Sequence, residues 1–130
     1  MKRTILIIVA FALLTGCAHG NLVGQRGNGL NTSYSLQDRR QAKLHVKVSP
    51  EMPAGATPIG DFTAERCHQY AQDSAPGESV LVDDLQLLAY AEGADGLSNI
   101  RFSKESGLLK NCWFVAKATA TFYRTSTKQQ

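Results

Sequence analysis

From Asn111 to Arg124 the chain alternates with a period of two. Trp113, Val115, Thr119, Thr121 and Tyr123 fall on one side; Cys112, Phe114, Ala116, Ala118, Ala120 and Phe122 fall on the other. That alternation is the mark of a long β-strand with two distinct faces. The small alanines leave room for a helix to pack closely on their side, and a suitable helix lies upstream. Ser79 to Glu92 carries Leu81, Val82, Leu85, Leu88 and Ala89 at three- and four-residue spacing, a single apolar stripe. Ser79 suits its N-cap because the hydroxyl can accept from a free amide of the first turn. Asp83 and Asp84 lie toward the positive end of its dipole, where a dipole and solubility role is expected of them. Gly93 can take the left-handed position that closes such a helix.

Three further strands are predicted. Leu44, Val46 and Val48 alternate with His45, Lys47 and Ser49 until Pro50–Gly55 breaks the pattern. A second strand runs from Pro58 to about Ala64, with Ile59 and Phe62 as its larger apolar residues. Cys67 then opens a polar segment, His68 to Glu78, that has no regular period. Leu97 to Ser103 reads as a third strand, weakened by Asn99 and Arg101, and Ser106-Gly107 offers a turn before the last one. The expected fold class is α+β, in the order β-β-α-β-β. One helix is laid across a small antiparallel sheet, in a domain covering residues 42–124. Residues 125–130 read as a disordered polar tail.

The N-terminal end constrains location instead of fold. Lys2 and Arg3 precede an unbroken apolar run, Ile5 to Leu14, which is too short for the roughly 20 residues that span a bilayer core. Leu14-Thr15-Gly16-Cys17 follows, and it resembles the lipobox of bacterial lipoproteins. The resemblance implies a signal peptide over residues 1–16. It also implies a diacylglycerol on the Cys17 sulfur and acylation of the new amino terminus. An ordinary cleaved signal with a chance cysteine, or an uncleaved anchor, are the alternatives. One acyl chain binds a membrane only marginally, whereas two or three hold effectively permanently. No amphipathic basic helix is expected to assist them. Ala18 to Gln41 is rich in Gly, Asn, Gln, Ser and Arg, so residues 17–41 read as the lipidated cysteine followed by a flexible tether. A coil of that length has a root-mean-square reach of about 25–30 Å.

Removing residues 1–16 also removes two basic residues, leaving 12 Lys and Arg against 11 Asp and Glu. A formal charge of +1 leaves no basic stripe that would suggest nucleic acid as a partner. Two cysteines remain besides Cys17. Cys67 and Cys112, in an oxidising compartment, read as a disulfide. A reactive or metal-binding pair is the alternative, with His68 as the third possible ligand. Adjacent residues on an extended chain point in opposite directions, and no CxxC or HxxxH spacing is present. No metal and no cofactor are therefore expected. Consecutive Asp83 and Asp84 diverge by about 100° on a helix and do not make a catalytic pair. No nucleophile elbow, phosphate loop or metalloprotease motif occurs, so the chain is not expected to be an enzyme. His45 is expected on the solvated side of its strand.

Partner-binding residues are expected on two surfaces. Leu87 and Tyr90 lie three apart and opposite the core stripe of the helix, facing solvent or a partner. Trp113 and Tyr123 take the outer face of the last strand if Phe114 and Phe122 face inward. Exposed Tyr and Trp are enriched at interfaces. The alternative is that Trp113 packs beside the cystine and that scattered apolar surface residues have no function.

Several of these features occur together: the lipobox, Ile59-Gly60-Asp61-Phe62 leading to Cys67, Glu92-Gly93-Ala94-Asp95 after the helix, and Asn111-Cys112-Trp113 opening the last strand. Over roughly residues 56–124 the chain resembles the Rcs envelope-stress sensor lipoproteins of enterobacterial outer membranes. The resemblance implies an α+β domain locked by a disulfide that signals without catalysis, by changing partners when the envelope is damaged. Its partners would be outer-membrane barrel proteins and an inner-membrane regulator of a phosphorelay. Cys67 and Cys112 match one of the two disulfides of that family. The second pair falls at about Phe102 and Ala118, so that bridge is absent here. The tether lacks the family's Pro/Lys/Ala-rich character, and Ala18 after Cys17 resembles outer-membrane sorting.

The expected function is a lipid-anchored binding module at the outer membrane, its domain facing the periplasm, acting through protein contacts in stress sensing or as an accessory factor. An immunity or inhibitor lipoprotein that blocks a periplasmic enzyme, or a structural lipoprotein of a secretion apparatus, are the competing readings.

Overall fold

A computed structural model describes residues 34–126; residues 1–33, on which the expected signal peptide, Cys17 and most of the expected tether fall, lie outside the described residues, as do residues 127–130. The first element is a helix, α1 (Leu36–His45), in a stretch expected to be tether and then strand. Its start is written locally. Ser35 Oγ accepts from the Asp38 amide at 3.1 Å, and the Asp38 carboxylate accepts from the Ser35 amide at 2.9 Å. This reciprocal capping box satisfies two amides that a bare helix end would leave open. Straight-chain residues and Ala42 fill the following turns and favour helix. The alternation of Leu44, Val46 and Val48 is therefore not a strand pattern: Leu44 is the exposed last turn of α1, and only Lys47–Val48 forms strand β1.

The remaining elements are β2 (Ala56–His68), α2 (Glu78–Ala91), β3 (Gly96–Ser106), a 3-10 turn (Leu108–Lys110) and β4 (Phe114–Thr125). The fold is α+β, with α1 added before the expected order. The sheet order is β1-β3-β4-β2, and it is mixed: β1 runs parallel to β3, while β2 and β3 flank β4 antiparallel. β2 extends through Cys67 and His68, which pair with Val115 and Phe114, so the polar segment begins only at Gln69. Asn99 takes a left-handed φ of 54° where the β3–β4 register slips between Ser98 and Arg101. Thr125 belongs to β4 and not to a tail, its amide donating to the Asp95 carboxylate at 2.7 Å.

α2 starts one residue before Ser79, with Gly77 at the N-cap and no side-chain cap. Its C-terminus follows the expected glycine closure. Gly93 has φ 66°, its amide donates to Tyr90 and that of Ala94 to Ala89, the paired bonds of a Schellman motif. The helix lies on the face of the sheet formed by Ala64 of β2, Leu97 of β3, and Ala116, Ala118, Ala120 and Phe122 of β4. Leu81, Leu85, Leu88 and Ala89 complete that core, and Phe62 stacks on Phe122 with centroids 4.3 Å apart.

The other face of the sheet carries polar rungs between register partners. Thr121 donates to Asp61 at 2.6 Å, Thr63 and Thr119 share a bond of 2.8 Å, and Lys117 pairs with Glu65 at 2.9 Å. At the end of this face Tyr123 is fully buried, correcting the expectation of an exposed side chain. Its ring lies over Gly96, where a Cβ would collide with the hydroxyl, and that hydroxyl meets Ser49 Oγ just beyond β1.

Candidate functional site

β2 and β4 bring Cys67 and Cys112 together with Cα atoms 5.6 Å apart, and the two form a disulfide across 45 residues. The cystine fixes a surface turn. Cys112 is held by its amide to the Gly107 carbonyl at 2.9 Å, and Trp113 by its amide to His68 at 2.7 Å. Gly107 is buried where a Cβ would collide with the Cys112 backbone, so the chain can fold back this tightly only at glycine. Asn111 takes the left-handed conformation that turns the chain toward β4. Lys110 pairs with Glu65 at 2.8 Å and ties the turn to the sheet.

This rigid turn points apolar side chains outward. Leu108 is 85% exposed, Leu109 100% and Trp113 68%. Trp113 is thus on the surface, as the alternation of β4 predicts, and does not shelter against the cystine. Leu108 and Leu109 were not among the predicted contact residues. The signal that could have found them is two leucines between a glycine and a lysine in a turn, where a soluble chain ordinarily places polar residues.

The opposite pair of predicted contacts separates. Leu87 is only 2% exposed, correcting the expectation that it faces solvent: it turns toward α1, which occupies a stretch expected to be tether and strand. Tyr90 remains exposed and stacks beside His45 at 6.3 Å between centroids, within the same seam between α1 and α2. His45 therefore sits on a helix, with Gln41 as its hydrogen-bonding neighbour, and not on a strand.

Asp84 also departs from its expected role. Buried at the base of the seam, it accepts from Arg66 Nε at 2.6 Å and Nη2 at 2.8 Å, a bidentate pair. Asp83 stays exposed and pairs with Lys43 of α1 at 2.8 Å. Near the cystine, burial would raise the pKa of Glu65, but its bonds to Lys110 and Lys117 outweigh that and hold the carboxyl below its ordinary range. Lys117 is raised in turn by Glu105 and Glu65. These groups are locked in ion pairs. Among the described residues, no group of three or more His, Cys, Asp or Glu side chains converges as metal ligands. His68 is buried against Phe114, their rings 4.7 Å apart.

Phe102 and Ala118 are direct register partners on β3 and β4. No described helix is long and apolar enough to cross a membrane. Comparison with protein-family models and with curated protein sequences returns no match.

Proposed function

We propose that the chain is a non-catalytic lipoprotein of the bacterial outer membrane, held by acyl chains on Cys17, whose periplasmic domain binds another envelope protein. The docking surface is the turn 107–113, and the observation that carries this reading is the exposure of Leu108, Leu109 and Trp113 on a segment fixed by a cystine. An apolar cluster costs solubility, and a rigid one loses little conformational entropy when a partner covers it. The resemblance to the Rcs envelope-stress sensors supports an outer-membrane barrel protein or an inner-membrane phosphorelay regulator as that partner.

The test is crosslinking in intact cells with recovery of the lipidated protein. Wild-type protein should capture a specific envelope protein, and the triple variant Leu108→Ser, Leu109→Ser, Trp113→Ser should lose it while melting at the same temperature. A partner set unchanged by the triple variant would remove the turn from the interface. Capture of a soluble toxic enzyme would favour the inhibitor reading instead.

A further inference from the structure

The two sides of the sheet meet solvent differently. β2 forms one edge, and it carries Pro58 and a register shift between Pro58 and Gly60, features that spoil an edge for further pairing. The other edge is β1, which is two residues long and leaves most of β3 uncovered. Gly96 and Leu97 pair with β1, and the Asn99 amide donates to the Pro50 carbonyl at 3.2 Å. From Arg101 to Ser106 the strand pairs with β4 on one side, and among the described residues no strand lies on the other. This stretch contains no Pro or Gly, and each of its residues is exposed, Phe102 included.

The order of side chains along this edge is complementary to itself. Antiparallel pairing about a two-fold axis must centre on a residue, because the backbone presents its donor and acceptor outward only at every second position. Centring on Arg101, Lys104 or Glu105 sets like charges face to face. Centring on Ser106 pairs almost nothing, since β3 ends there. Centring on Phe102 drives the second copy's Pro50, which flanks its Asn99, into the line of the strand at Glu105. Ser103 as the centre avoids all of these, because that Pro50 then falls beyond the end of β3. It opposes Arg101 to Glu105 and Phe102 to Lys104, each twice by symmetry, with the small Ser103 side chains on the axis. Opposed residues also share a face. Arg101 and Glu105 lie across from Thr119 and Val115, and Phe102 and Lys104 from Ala118 and Ala116 on the helix side. Arg101 already gives Nη2 to Asp61, and Glu105 accepts from Lys117 at Oε2. A guanidinium has five donors and a carboxylate two oxygens, so pairs across the axis add to these contacts without displacing them. The Lys104 stem of one copy can cover the exposed Phe102 ring of the other.

We propose that β3 pairs edge to edge with β3 of a second copy of this chain, antiparallel about Ser103. Two four-stranded sheets then become one, with the helices of both copies on the same face. The pairing satisfies edge amides and carbonyls that otherwise depend on water, and it closes an edge open to any extended chain. It rests on the edge itself, and neither membrane anchoring nor docking at the turn 107–113 enters the argument.

Cysteine crosslinking of the full chain in intact cells tests it. Ser103→Cys sets two thiols across the axis at the separation a disulfide spans. Non-reducing gels should show a covalent dimer, and peptide mapping should place its linkage between the two substituted positions. Lys104→Cys, one residue along, faces Phe102 of the second copy and should give almost none. Sedimentation of protein recovered from membranes in detergent measures the equilibrium. Glu105→Arg alone sets like charges against Arg101 twice and should weaken the dimer on the order of tenfold. Adding Arg101→Glu gives up the pairs with Asp61 and Lys117 but restores opposite charges across the axis, and should recover the dimer. No crosslink from Ser103→Cys, or equal crosslinking by both cysteine variants, would overturn the proposal, as would a folded double variant that stays monomeric. Should the double variant melt early, the two cysteine variants decide alone.

Discussion

Leu87 shows how one unseen neighbour changes the meaning of a residue. On a lone helix over a sheet it lies opposite the core and should be solvated; beside α1 it is buried. Leu87→Ala should therefore cost about 2–5 kcal/mol of stability, the range for emptying a leucine site in a packed core. Chemical denaturation measures this, and a loss within a few tenths of a kcal/mol would return Leu87 to the surface. Asp84 follows the same logic. Two helix positions that look alike in sequence differ because only Asp84 finds a guanidinium across the core, and its desolvation is tolerable only with both bonds to Arg66 in place. Tyr123 keeps the alternation of β4 yet is buried, because β1 and Ser49 lie against the end of that face.

Among the elements, β2 and β4 are joined by more than their ladder. Glu65 sits between Lys110 of the turn and Lys117 of β4, and its carboxyl titrates below its ordinary value. A carboxylate with a lowered folded-state pKa stabilises the fold above its unfolded pKa. That contribution fades as pH falls through the folded value, because the unfolded chain takes up its proton first. Stability should thus begin to fall as pH drops below Glu65's ordinary value of 4.5 and continue falling below it. Glu65→Gln should flatten this acid limb in denaturation curves measured across pH. An unchanged slope would assign the acid sensitivity to other carboxylates, of which Asp95, held down by the amide and hydroxyl of Thr125, is the foremost. Lys117 acts at the other end of the scale. With its pKa raised, its stabilisation is complete below pH 10.5 and is lost as pH rises through the higher folded value.

For the whole molecule, the cystine is the principal long-range constraint. Closing a 45-residue separation contributes about 4 kcal/mol in the chain-entropy account, a large share of the stability of a small domain. Cys112→Ser, or reduction, should lower stability by a few kcal/mol and loosen the turn 107–113 before the sheet. Coincident melting with and without reductant would show that Gly107 and the Lys110–Glu65 pair hold the turn unaided.

What the sequence by itself determined is what depends on near neighbours: the helix under Leu81–Ala89 with its Gly93 closure, the long alternating β4, and the outward Trp113. The cystine was legible as well, because setting Cys17 aside as the expected lipid site leaves one pairing. α1 was written in Ser35-x-x-Asp38, but a polar helix with little apolar periodicity is outcompeted by the alternation of Leu44, Val46 and Val48. Only the tertiary structure decided the parallel pairing of β1 with β3, the burial of Leu87, Asp84 and Tyr123, and the seam in which Lys43 meets Asp83 and Arg66 meets Asp84. These depend on which elements come to lie side by side, and no residue carries that information in its own spacing. Burial is a property of two surfaces, and a sequence displays them one at a time.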